Sequence, residues 1–304
     1  STLGGGAEAH VLVHLERTKN LLHTWWKPTM IDTQDVPTGW AALDLQARPD
    51  AFLLSGLIVP DTAHTMLTAL AHQGTGRNDL GRYLPQEVTA WEVQRIQGGE
   101  GCLRDLGEAT DSAISTLAPS LFTWVHGEIG LAHAADTGAV HAATWALFQT
   151  DDPEGAAEEL RKPCPDGVHC DTLNHRGLRL TRLPVMHAHQ QLLGDAYTPL
   201  QEPWWCVMGD VVVFAPTSEA LRTAIDAWND GRTLAEDART SAWTERIASS
   251  AGRTLRWDVA RHWPHFSIGL KAGPATAYNA EGATWQRFGG LAVQLSPAQH
   301  GRTH

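Results

Sequence analysis

The side chains of this 304-residue chain best suited to chemistry are four cysteines and sixteen histidines; the histidines are dispersed along the chain, as polar surface positions would be, and one segment brings both types together. The segment CPDGVHCDTLNH carries Cys164, His169, Cys170 and His175, with His187 and His189 following soon after. Thiolate sulfur and imidazole nitrogen both suit zinc, and four such ligands can close a tetrahedral shell. The C-x5-C spacing departs from finger and ribbon patterns, however, and the adjacent His169 and Cys170 could share one ion only through an unusual turn. The competing expectation is a disulfide. Pro165-Asp166-Gly167 is a turn signal that brings Cys164 back to Cys170, and such a bridge persists in oxidising compartments. The disulfide is the leading reading, with a zinc site on Cys164, His169, Cys170 and His175 as the alternative. Cys102 and Cys206 make the count even, which permits a second bridge without assigning one.

Other reactive types have simpler roles. His126 and Glu128 sit two apart on an expected strand, so they would share a face and could pair. A carboxylate turned inward there, Glu128 or Asp44, would have a raised pKa. Asp151 and Asp152 are adjacent, but they end a strand and cap a helix, which explains them without catalysis. Gly74-Thr75-Gly76 follows a helix, whereas a phosphate turn needs strand, glycines, then helix. H-E-x-x-H, G-x-S-x-G and Walker A patterns are missing. His187-Ala188-His189, read as strand, would place both rings on one side. No catalytic or cofactor-binding residue is assigned. Glycan stacking on Trp25/Trp26 or Trp204/Trp205 is weakened because neighbours on a strand face opposite ways.

The elements around these residues follow from periodicity. Alternation predicts strands at His10–Leu15, Trp40–Leu45, Ala51–Val59, Val88–Ile96, Leu178–Leu183, Trp204–Met208, Val211–Ala215, Thr254–Val259 and Leu291–Leu295. Phe122–Ala134 and Val140–Thr150 read as a strand pair joined at Asp136-Thr137-Gly138. Helices are expected after Asp61, over 103–117, from Pro153 to about Arg161, over 186–194, over 217–229 with Gly231 as its stop, and near 241–250. The pattern predicts an α+β fold of mixed or antiparallel sheets with helices on one face, in two related modules. The first would span 9–135 and the second 136–304, with 1–8 as a linker.

The totals bound the function. A formal charge of −11 with no basic run excludes a nucleic-acid binder, and no window approaches the ~18 uninterrupted apolar residues of a membrane helix. The thirteen tryptophans sit mostly within apolar patterns, where packing accounts for them. The opening STLGGGAE reads as a linker or cut end, so the chain is expected to be a mature or excised part of a longer protein.

Several stretches together resemble a family of large, uncharacterised bacterial envelope proteins, known only as a domain of unknown function. They are GWAALDLQARPDAFLLSGLIVPD (39–61), the Leu84-Pro85 strand entry, TWVHGEIGLA (123–132), ALFQTDDPEGAAEEL (146–160), VVVFAPTSEALRTAIDAWNDGRTLAED (211–237) and QRFGGLAVQLS (286–296). The resemblance covers most of the chain, and each motif in it is structural. It implies an exported protein, longer at both ends, with no activity to carry over. The Cys164–Cys170 loop and the enrichment in His and Trp depart from the family. The resulting expectation is a non-catalytic extracytoplasmic scaffold or protein-interaction module of the bacterial envelope. Its partners would be other envelope or surface proteins, and any membrane attachment would lie in segments outside this chain. The alternative is a metal-binding protein or metal-dependent hydrolase that uses zinc on segment 164–189.

Overall fold

The structure is a computed structural model that describes residues 8–27, 38–48, 51–61, 73–96, 120–134, 143–164 and 170–297. The chain forms two compact units. The first is Ser1–Thr68 with Pro264–Gly282 and Ala298–His304, and the second is Ala69–Trp263 with Ala283–Pro297.

In the first unit, β1 (Ala9–His14), β2 (Gly39–Arg48) and β3 (Ala51–Pro60) make an antiparallel sheet in the order β1-β2-β3. The hairpin predicted from 40–45 and 51–59 is present, and its pairing runs from Gly39↔Pro60 to Arg48↔Ala51. The helix Leu15–Trp25 starts directly from β1, where the His14 ring accepts the Arg17 N–H at 3.4 Å. Its far end is tied to the returning segment: the Lys27 N–H donates to Gly269 O and the Lys271 N–H to Trp25 O, both at 2.8 Å. The Trp26 and Phe266 rings meet edge to face at 6.0 Å. The helix expected after Asp61 lies outside the described residues, as do the one over 103–117 and the turn at 136–138.

The second unit is built on a nine-stranded sheet in the order β12-β11-β4-β5-β6-β10-β9-β8-β7. Its strands are β4 (Val88–Ile96), β5 (Gly127–Ala134), β6 (Thr144–Gln149), β7 (Thr172–His175), β8 (Leu178–Arg182), β9 (Trp204–Met208), β10 (Val211–Ala215), β11 (Arg253–Trp257) and β12 (Leu291–Leu295). Every pairing is antiparallel. Alternation along the central strands divides the core in two. Phe148, Val212 and Phe214 pack with Ala156, Ala157 and Leu160 of the helix Pro153–Arg161. Leu147, Val211 and Val213 pack instead with Leu221, Ala224 and Ile225 of the helix Ser218–Asn229. The α+β class with antiparallel sheets is therefore present, and helices cover both faces of the large sheet rather than one.

Local chemistry sets these helices. Asp152 accepts the Gly155 N–H at 2.9 Å with Pro153 in the first turn, and Thr217 Oγ1 accepts the Ala220 N–H at 3.2 Å. Gly231 follows the second helix with φ +65°, the left-handed stop its position suggested. The boundary expected at 135/136 falls between β5 and β6, which are paired from Ile129↔Phe148 to His133↔Thr144. A hydrogen-bonded ladder crosses it, so it does not divide the structure. The recurring hairpin-then-helix pattern lies within one sheet.

Candidate functional site

The feature that stands out chemically is β3. Its ten residues, AFLLSGLIVP, carry no charge and have the composition of a core strand. Only Ala51 and Leu53 are half-buried; Phe52 is 69% exposed, Val59 57% and Leu54 52%. β2 takes one edge of β3, and among the described residues no strand pairs with the other.

The side chains alternate across the sheet. Phe52, Leu54 and Ile58 project from one face, all exposed. On the other, the register lines Leu57 up with Ala42 and Leu12, and Val59 with Trp40 and His14. Leu12, Trp40, Leu57 and Val59 are exposed there, and the His14 ring stands edge-on to Trp40 at 4.7 Å. The next row is polar: Ser55, Asp44 and His10, with His10 Nδ1 2.8 Å from Asp44 Oδ1. Asp44 thus serves as a partner for His10. An edge that no described strand occupies, flanked by apolar side chains, is a template for adding another strand.

The residues predicted from sequence are dispersed. Cys164 and Cys170 form a disulfide with Cα atoms 5.8 Å apart, so both sulfurs of the proposed zinc set are taken up in that bond. His169 lies outside the described residues. His175 Nε2 is 2.8 Å from Asp226 Oδ1, and Arg176 Nε reaches the same oxygen at 2.6 Å. The His175 bond, and then the nearby cations, hold the Asp226 carboxyl below its usual range. Among the described residues no group of three or more His, Cys, Asp or Glu converges. His187 and His189 are not on a strand. His187 precedes the helix Ala188–Leu193 with φ +58° and its Nδ1 is 3.0 Å from Gln190 Oε1, whereas His189 points into the core. The left-handed turn at His187, with a helix beginning at Ala188, separates two rings that a strand would have aligned.

His126 and Glu128 also go separate ways. His126 Nδ1 lies 2.7 Å from Asp151 Oδ2. Glu128 is buried and accepts the Asn78 N–H at 2.7 Å and the Asp79 N–H at 3.0 Å. Burial raises its pKa, opposed by those two hydrogen bonds. The Gly74–Gly76 loop is pinned to Ala251 by reciprocal backbone bonds at Gly76. Trp205 is buried beside half-buried Trp204, and Trp25 is exposed beside half-buried Trp26. Cys206 is an unbridged thiol that burial pushes up to about 12, which makes it a poor nucleophile; Cys102 lies outside the described residues. The hairpin was legible in sequence, but its exposure was not, because a near-continuous apolar run looks the same whether or not a layer covers it.

The chain matches no known family model, no curated protein and no solved structure.

Proposed function

We propose that this chain is a non-catalytic interaction module of the bacterial cell envelope, working outside the cytoplasm, and that it takes up an extended apolar segment of another envelope protein along β3. The observation that carries the proposal is the uncharged ten-residue edge strand with Phe52, Leu54 and Val59 exposed. Proteins ordinarily protect such an edge with charge, proline or a covering element. An exposed apolar run bordered by polar groups marks a contact surface, and strand addition satisfies both the open backbone and the apolar side chains. The Cys164–Cys170 disulfide supports an oxidising compartment. Among the described residues no helix is long and apolar enough to cross a membrane. The resemblance to envelope proteins supports the same address.

The test is affinity capture from a solubilised envelope fraction, with wild-type protein run beside Leu54→Lys and a control, Arg179→Ala, on the second unit. A protein retained by wild type and the control and lost with Leu54→Lys supports the reading. The same retention by all three baits overturns it.

A further inference from the structure

A guanidinium withdrawn from water needs a countercharge. Arg256 on β11 is 5% exposed. The sheet register sets it opposite Trp91 on β4, and its Cζ lies 5.1 Å from the Trp91 ring centroid. Nη1 donates to Thr244 Oγ1 at 2.9 Å, while Nε is buried with no acceptor. Among the described residues no carboxylate pairs with it. Burial alone pulls its pKa down, to about 10, so it keeps its charge at neutral pH. The contact with the Trp91 face offsets only part of the lost hydration.

Arg256 lines a cavity of about 510 Å³ in the second unit. The same cavity is lined by Arg77, Asp79, Arg82 and Glu245. The Arg77–Asp79 loop is held in place by the buried Glu128 carboxylate, which accepts two of its N–H groups, and by Asn78 Nδ2, which donates to Thr254 Oγ1 at 2.9 Å. Arg82 is already neutralised: its Nη2 lies 2.9 and 3.1 Å from the Asp210 carboxylate oxygens, where Tyr83 and Gln149 also donate. Two cations, Arg256 and Arg77, and two anions, Asp79 and Glu245, remain without an ion-pair partner among the described residues. A dianionic phosphate would satisfy Arg256 but would meet both carboxylates. A ligand with one negative and one positive end matches this balance of charges.

We infer that the cavity binds a small zwitterion of the amino-acid or short-peptide class, with its carboxylate on Arg256 and its ammonium toward Asp79 and Glu245. The buried cation then gains its countercharge. The site is independent of docking at β3.

The test is calorimetric titration of the intact chain with each common L-amino acid and with L-alanyl-L-alanine, followed by the N-acetyl and C-amide forms of the tightest binder. The C-amide should not bind, and the N-acetyl form should bind at least about tenfold more weakly, the loss expected when a charge-assisted hydrogen bond is removed. No binding by any of these probes overturns the inference, as does inorganic phosphate binding more tightly than every zwitterion. Arg256→Met should abolish binding yet raise the Tm of the unliganded protein, because it removes an unpaired buried charge. Unchanged binding with a lowered Tm would make Arg256 structural and overturn the site. If Arg256→Met does not fold, the exposed Glu245→Gln decides. It should bring the free-amine ligand down to the affinity of its N-acetyl form, and unchanged affinity contradicts the assignment.

Discussion

His189 shows how a residue that looks like a ligand can be a liability of the core. It is fully buried, both ring nitrogens lack partners, and the rings of Phe214, Phe122 and Phe148 stand around it at 4.4, 5.0 and 5.5 Å. Burial drives its pKa down to about 3 from an ordinary 6.5. Above pH 6.5 the ring is neutral in both the folded and unfolded states and has no effect on the pH dependence. As pH falls from 6.5 toward 3, only the unfolded chain takes up the proton, so stability drops by about 1.4 kcal/mol per pH unit. Urea unfolding of wild type and His189→Phe between pH 7.5 and 4 should therefore diverge, with the wild type losing more stability as acid is added. At neutral pH the variant should be more stable by about 1–3 kcal/mol, because two unsatisfied buried polar atoms are gone. Parallel pH profiles would show that the ring has a hydrogen-bond partner in solution. The sequence could not reveal this. Which of His187 and His189 turns inward depends on a six-residue helix whose sequence, AHQQLL, lacks a clear apolar stripe.

Legibility differs among elements for reasons of packing. Strands β9 and β10 and the helix Ser218–Asn229 stand close to their expected bounds because alternation, the Thr217 cap and Gly231 all agree. Thr217→Ala should cost about 1 kcal/mol by removing the acceptor for the Ala220 N–H, measurable as a lower denaturation midpoint at unchanged m. The helices Val259–Gly269 and Ala272–Ala280 were missed: the first contains Pro264, and the second, AGPATAYNA, is small and nearly uniform on all sides. The short β7 was missed as well, since TLNH carries too few apolar positions to show a period. β3 was read correctly as a strand, and the sequence left open whether a layer covers it. Leu54→Lys should change global stability by less than about 0.5 kcal/mol, as expected for a surface position. A loss comparable to a core truncation would place Leu54 in a packed interior.

For the whole molecule, the disulfide is a local staple rather than the basis of the fold. Cys164 and Cys170 are six residues apart in sequence, and the two cores of the large sheet contain neither of them. Replacing both with serine should lower stability by about 2 kcal/mol, the scale expected for closing so short a loop, and leave the far-UV circular dichroism unchanged. A charge of −11 disfavours self-association, yet β3 contributes none of that charge. The central claim is that β3 receives a strand from another protein, and photo-crosslinking from position 54 in intact cells tests it most directly. The account predicts a crosslink to an extended apolar segment of a second envelope protein, lost when Phe52 and Val59 are both changed to lysine. Crosslinks confined to lipid, or to β3 of another copy of this chain, would contradict it.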